Sequence, residues 1–585
     1  MNTYARILES LLYADIDNLR TVAALIDQVA GHYRFVANGI AATTIAPPSP
    51  NLINGLNFAV REIEETTGRH ILAQGVGSSL AVITPENAEG QGVDMFLATV
   101  SLVKPMNVAI FAFDEEIDLP IAMVAAGSLP TRVTFRLVAA PKTLSWGGDL
   151  LNAIATLSQT PPDVILVSAA SLQEIPPSLE ELGQSIALLQ DMLEPRDRAL
   201  VIVIGTKAVQ DTLYPLLHKN STLEAVLLED QPDEYAVAEE TLELLETYYQ
   251  ETRIARLPGF GAIQSWSNFT IRSALAMRTL SIRQLSRQTP GSILYAHIGS
   301  EATQVIAADE LSYRSFVDVD WGTGYSMAKL LQQDETLEQV LRWTPGMTPE
   351  RDLLALLWQR SLRPHIRPTI EDLLWLEHAA ARVLLNKTIR ALPATYRHET
   401  GFPNPTFLIG SGPAIQMAPR PAQAAMILVD AVQPVGVVRL MRERLGLLPL
   451  VGYLAEEEQT LIADLLRFDM FESLGTLIVP FGEMSPGKPV LEFTMPMPGG
   501  GSYTVEVEAG QLYREYVPPG THFSLELKPA RGIDIGEGSG RKRTITIHGG
   551  AVGLIVDARG RPLPQTETLV TQRKLVQDWM LYVGS

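Results

Sequence analysis

Three places in this 585-residue chain combine residue types that could hold phosphate. Each is an apolar strand running into a turn of small or acidic residues: Asp15 to Thr21, His297 to Thr303, and Gly410 to Gly412. A strand that brings backbone N–H groups and a carboxylate to one point can cradle phosphates and their Mg²⁺, because the donors are fixed before the ligand arrives. Taken singly, each is an ordinary tight turn. Three in this order, spread over two halves of a chain, make a pattern.

Other chemistry is poorly served. There is no cysteine, which removes disulfides, thiolate ligands and cysteine nucleophiles together. His297 could act as an acid or base near neutrality, but reads better as a turn residue. His378 sits among Glu377, Ala379 and Ala380 and reads as a packed or exposed helix residue. Neither has a second histidine at metal spacing, so zinc is not expected. The stretch Gly536-Glu537-Gly538-Ser539-Gly540-Arg541-Lys542-Arg543-Thr544 resembles a phosphate loop superficially. It fails the required spacing because Arg541 separates Gly540 from Lys542, and reads as a basic hairpin tip. Gly499-Gly500-Gly501 reads as a flexible turn, and neither a Gly-x-Ser-x-Gly elbow nor His-Glu-x-x-His is present.

The elements that would carry the three turns can be read from periodicity. Apolar runs at Ile7 to Ile16, Thr21 to Ile26 and Tyr33 to Asn38, broken at Asp27 and Gly31, predict a meander of strands. Leu56, Ala59, Val60 and Ile63 share a helical face opposite Arg61, Glu62, Glu64 and Glu65. From Val108 to Leu257 the chain alternates between helical stretches and short apolar runs. The runs Val164 to Val167, Leu200 to Ile204 and Ala225 to Leu228 suit buried parallel strands, and Glu234 to Arg253 suits a helix with a solvated acidic face. Strands Ser292 to Ile298 and Thr406 to Ile409 lead into the second and third turns. Two helices are expected between them, one with Thr348 as cap and Pro349 as its first residue, the other starting at Thr369 to Asp372. After the Pro/Gly stretch Gly482 to Pro489 the period becomes two, with Val505 and Val507, then Phe523, Leu525 and Leu527, alternating with polar residues. Turns are expected at Pro498 to Gly501, Pro518 to Gly520 and Gly536 to Gly540.

Composition bounds the partners. Sixty-six acidic against 46 basic residues leave a net charge of −20, so a nucleic-acid backbone is repelled on average. Hydrophobic residues at 46% supply packed cores for several units, yet no run of about 18 apolar residues occurs. No signal-peptide pattern opens the sequence, and the expected location is cytoplasmic, away from membranes.

A family resemblance enters on specific blocks: Gly92-Val93-Asp94-Met95-Phe96-Leu97-Ala98-Thr99, Pro258-Gly259-Phe260-Gly261, and Phe407-Leu408-Ile409-Gly410-Ser411-Gly412 through Gln423-Ala424-Ala425, continuing into Asp430-Ala431-Val432-Gln433-Pro434-Val435-Gly436-Val437. Over residues 8–450 the chain resembles the MutL/GlmL family that accompanies coenzyme-B12-dependent glutamate mutase. The resemblance implies a duplicated, two-lobed actin/Hsp70-like (ribonuclease H-like) α/β fold that closes on Mg-ATP. The implied role is chaperone-like: reactivating a cobalamin mutase by nucleotide-driven cofactor exchange. Expected units are a first lobe at 1–107, an inserted α/β subdomain at 108–257, a second lobe at 258–482 and a C-terminal β domain at 483–585.

The resemblance carries nucleotide contacts onto Asp15, Asn18, Thr21, Gly299, Ser300, Thr303, Gly410, Ser411 and Gly412, with Asp15 as the metal residue. It also shows where the pattern breaks. The family's first turn, Asp-Ile-Gly-Ser-Thr, is here Asp15, Ile16, Asp17, Asn18, Leu19. Asp17 adds a Cβ and a charge that at 4 Å from phosphate costs about 1 to 4 kcal/mol. The second turn, Asp-Val-Gly-Gly-Ala-Thr-Thr-Asp, is here His297, Ile298, Gly299, Ser300, Glu301, Ala302, Thr303, Gln304, with both acids lost. No catalytic residue can therefore be assigned, and ATP with Mg²⁺ is expected to bind weakly or not at all. Three functions follow: an actin-like pseudo-ATPase serving as scaffold or chaperone for a protein partner, such as a mutase subunit; an active ATPase in which Asp15, Thr21 and Thr303 with some other acid hydrolyse ATP slowly to reactivate a cobalamin-dependent glutamate mutase; or a self-assembling homo-oligomer like the superfamily's filament formers.

Overall fold

The computed structural model describes residues 8–47, 50–75, 80–101, 104–140, 144–219, 221–227, 234–390, 403–497 and 500–584. The expectations at Ile7, Leu228, Pro498 and Gly499 lie outside these residues. The chain forms two compact units: Met1–Ser101 with Pro258–Tyr313 and Asp320–Ser585, and Leu102–Leu257 with Arg314–Val319.

In the first unit the meander closes as Ser10–Ile16, Arg20–Val29 and His32–Ala42, paired antiparallel. Asp27 does not break the second strand; the turn falls at Ala30 and Gly31, both at positive φ. Met95–Val100 then joins the free edge of Ser10–Ile16 in parallel, and Arg272–Ser273 extends the sheet beyond it. The order is thus 3-2-1-4-5, with the parallel crossover supplied by the helix Leu52–Thr67. That helix forms where the apolar stripe predicts: Asn51 caps it through Ile53 N–H, Gly68 ends it at φ 73°, and Leu56, Ala59, Val60 and Ile63 are buried.

A second sheet repeats the same logic. Ile293–Ile298 pairs antiparallel with Thr303–Ala308 and parallel with Phe407–Ser411, which pairs parallel with Gly436–Glu443. The helix Ala274–Gln288 joins the two halves, and one apolar core holds Leu11, Tyr13, Ala24 and Leu97 of the first sheet with Tyr295, Ile306 and Ile409 of the second. The repeated hairpin with its parallel crossover is the mixed α/β, actin/Hsp70-like duplicated fold. Gly410 and Ser411, expected in a turn, are the last residues of a strand. Among the described residues three α-helices lie between Ile293–Ile298 and that strand, Asp334–Trp343, Glu350–Leu362 and Glu371–Arg390, where two were expected. Pro349 occupies the cap position of the middle one, while Thr348 donates instead to Asp372 at 2.9 Å.

The alternating C-terminal strands form an antiparallel sheet of Pro489–Pro496, Ser502–Glu508, His522–Pro529 and Arg543–His548. Leu512–Glu515 and Gly553–Asp557 do not join it; they extend the second large sheet past Phe471–Val479. The chain then adds a helix, Leu569–Val583. Asp430, from the family-like block, lies buried where these parts meet. It takes Arg382 Nε at 2.9 Å and Arg559 Nη2 at 2.8 Å, while Asp557 takes Arg559 and Arg561. Gln433 Oε1 accepts Leu563 N–H at 2.9 Å, so the block clamps the late strand in place.

The second unit is a five-stranded sheet with Val164–Ala169 and Leu200–Gly205 fully buried at its centre. Thr222–Leu227 is its edge and mostly exposed, contrary to the buried strand expected there, because it has a neighbour on one side only.

Candidate functional site

The ends of the two hairpins and of the strand Phe407–Ser411 converge in the first unit. Asp15, next to last in its strand, points away from the face that carries Thr21. Its Oδ1 accepts Thr99 Oγ1 at 3.0 Å and Ser101 Oγ at 2.9 Å, and its Oδ2 accepts Arg278 Nη2 at 3.2 Å. Arg278 comes from the joining helix and is buried. Burial opposes its charge, yet Tyr295, Asp15, Glu443 and Tyr13 together raise its pKa. The carboxylate that should hold a metal is therefore neutralised by a guanidinium. These residues do not fit Mg²⁺: a hard cation would have to displace an ion pair already sheltered from water. Among the described residues no group of three or more His, Asp or Glu could hold a metal ion.

The first turn is closed on itself. Asp17 Oδ1 accepts the N–H groups of Leu19 at 2.5 Å and Arg20 at 2.7 Å, so both donors of the turn are already engaged. Burial, with Asp15 nearby, raises the Asp17 pKa although these two hydrogen bonds oppose the rise. Asn18 sits half-buried at the tip. Thr21 is buried on the opposite face, with its hydroxyl 3.0 Å from that of Thr43.

The second turn is covered from outside. Gly299 donates across it to Ala302 O at 2.9 Å, and its carbonyl and that of Ser300 accept Thr323 and Gly324 N–H. A Cβ built on Gly324 would lie 2.8 Å from Leu19 Cδ1 and 3.0 Å from Glu301 Oε1, so the two hairpin tips meet around this glycine. Glu301 accepts Tyr325 N–H at 3.0 Å, and burial, then Asp17, push its pKa up to about 7. Thr303 donates to Trp321 O at 3.0 Å, and Gln304 Nε2 to Leu275 O at 2.9 Å, so both serve packing.

His297 and Ser411 lie on adjacent parallel strands. Ser411 Oγ donates its single proton to Glu443 Oε2 at 2.6 Å, and Tyr295 adds a second donor to the same oxygen at 3.0 Å. The proton on the 3.1 Å contact between His297 Nδ1 and Ser411 Oγ must then belong to the imidazole. Burial, then Arg278, hold the His297 pKa well below its ordinary value, so the ring is neutral. Gly410 lets the strand approach Leu428, and Gly412, at φ 92°, lies where a Cβ would overlap the Ile298 carbonyl. Both glycines thus have packing reasons to be there. His378, on its helix, is fully buried against Trp375, and burial lowers its pKa to about 3.

The two neutral histidines give a pH prediction. Each has a folded pKa below its unfolded value near 6.5, so the stability it confers is complete above that value and is lost as the pH falls. Acidifying from pH 6.5 to 5.5 should remove about 1 kcal/mol of unfolding free energy per ring, offset in part by Glu301, whose raised pKa of about 7 makes the folded state take up protons over the same range, and neither ring should titrate by NMR in that window. An NMR titration of either ring between pH 6.5 and 5.5 would contradict its burial.

Sequence reasoning found the turns and missed Arg278, Ser101, Tyr295 and Glu443, which lie far from them in the chain. The one nearby signal was Thr99, which ends the first family-like block.

No curated protein sequence matches the chain. Among solved structures it is similar to acetone carboxylase in its nucleotide-free form (12% identity over 86% of this chain and 81% of that chain, TM-score 0.28). It is also similar to component A of (R)-2-hydroxyglutaryl-CoA dehydratase from Acidaminococcus fermentans (8%, 77% and 98%, 0.25) and to xylulose kinase from Bifidobacterium adolescentis (10%, 78% and 93%, 0.27). The fold assignment stands on the strand order of the two sheets. The profile of the MutL protein family matches residues 11–470, most of the chain, and the protein belongs to that family.

Proposed function

We propose that the protein is an actin-like pseudo-ATPase acting as a scaffold or chaperone-type accessory, with a coenzyme-B12-dependent mutase as its partner. The observation that carries this reading is the ion pair between Asp15 and Arg278, which fills the expected metal position with a fixed cation. Supporting it, Asp17 uses the N–H groups of Leu19 and Arg20 that the first turn could otherwise offer to phosphate. The hydroxyls of Thr21 and Thr303, on which the active-ATPase reading depends, are engaged with Thr43 and Trp321. The partner follows from family membership alone.

Calorimetry with Mg-ATP tests the nucleotide half. No saturable heat is expected up to about 1 mM ligand, and micromolar binding with magnesium-dependent phosphate release would sink the reading. The partner half is tested by mixing the protein with a purified coenzyme-B12-dependent mutase from its own organism, where co-elution on size exclusion is expected.

A further inference from the structure

Arg20 begins the second strand of the first hairpin, on the side of the turn away from Asp15. It is only 7% exposed, yet among the described residues its guanidinium makes one hydrogen bond, from Nη1 to Met417 Sδ at 3.3 Å, a weak acceptor. Among the described residues no carboxylate forms an ion-pair contact with it: Asp17 is turned to the backbone, and Glu377 is paired with Arg360 at 3.2 Å. Burial lowers its pKa, with Asp17 and Glu377 opposing and Arg360 and Arg367 adding to the fall. A buried guanidinium without a counter-ion is costly, and an anion brought to it would offset that cost.

The guanidinium lines a cavity of about 460 Å³ together with Asn38, Ile40, Ala41, Glu62, His365 and Arg367. That volume is within the range of small-molecule sites. Arg367 is exposed and has no partner among the described residues, so two guanidiniums and an imidazole border one space. Glu62 is the acidic wall, and its Oε2 already accepts Ile40 N–H at 2.8 Å. No Phe, Tyr or Trp lines the cavity, so a nucleobase would lack the broad apolar ring faces that favour it, while the two guanidiniums favour an anion.

We propose that this cavity binds a small phosphate monoester with a hydroxylated carrier, such as a sugar phosphate. Arg20 and Arg367 hold the phosphate, which suits the planar donor fork of arginine, while Asn38 and Glu62 meet the carrier's hydroxyls. The site is separate from the Asp15–Arg278 pair, and the inference does not rest on the pseudo-ATPase reading.

The test is calorimetry of the full chain at low ionic strength with glucose 6-phosphate, inorganic phosphate and glucose. Both phosphate compounds should bind saturably and glucose should not. Arg367→Ser, at an exposed position, should weaken glucose 6-phosphate at least about tenfold, as should Arg20→Gln if it folds. Absence of saturable binding by either phosphate compound, or unchanged binding in Arg367→Ser, overturns the proposal.

Discussion

Replacing Asp430 by alanine is expected to cost about 3 to 5 kcal/mol of stability, the largest single effect in the molecule, because it leaves the Arg382 and Arg559 guanidiniums buried without their shared carboxylate. Arg382 Nη2 and Arg559 Nη1 already lack hydrogen-bond partners, so no spare acceptor is in place. Urea unfolding reads the loss as a lower midpoint at unchanged slope. Arg382→Met should be much milder, since Asp430 keeps Arg559 and the new side chain can pack against Trp343. Equal losses in the two variants would show that the cluster acts through packing alone. The same cluster has an acid limit. Burial works to raise the Asp557 pKa, but Arg559 and Arg561 outweigh it and hold the carboxyl well below the usual range. Its contribution is therefore present above the unfolded carboxylate pKa near 4 and lost as the pH drops below it.

The second large effect concerns Asp15. As a metal ligand it should be dispensable for stability, since polar groups poised for ligands are often strained. As the partner of Arg278 it is structural, and Asp15→Ala is expected to destabilise by about 2 to 4 kcal/mol, somewhat less than a fully buried pair because Asp15 keeps some exposure. Chemical denaturation measures the first effect and a phosphate-release assay on both proteins the second. A variant as stable as the parent, or one that abolishes a magnesium-dependent ATPase, would remove Arg278 from the centre of the site.

How much of this was legible in the sequence depends on how far apart the cooperating residues lie. The strands around Asp15 and His297, the helix after Asn51 and the alternation at Val505 and Val507 are local patterns, set by side-chain periodicity within a few residues. Asp17 was recognised as the misfit in the first turn, but as a charge facing phosphate. In the fold it turns back onto Leu19 and Arg20, so its effect is to occupy donors more than to repel a ligand. Asp534 does the same in the glycine-rich stretch after it, accepting Gly536, Glu537 and Gly538 N–H. A carboxylate two to four residues before such N–H groups is a signal that the loop is already satisfied. Arg278 is separated from Asp15 by 263 positions, and Arg559 from Asp430 by 129. No local pattern announces such a pairing; topology alone brings the partners together.

The strand Gly553–Asp557 lies inside the second large sheet, between Phe471–Val479 and Leu512–Glu515, although it is the last strand of the chain. During synthesis on the ribosome, the earlier strands must wait with an open edge until these five residues have emerged. Until then Phe471–Val479 presents unpaired N–H and C=O groups to whatever is near. The exposure to clumping thus lasts for as long as the residues between Val479 and Gly553 take to be made.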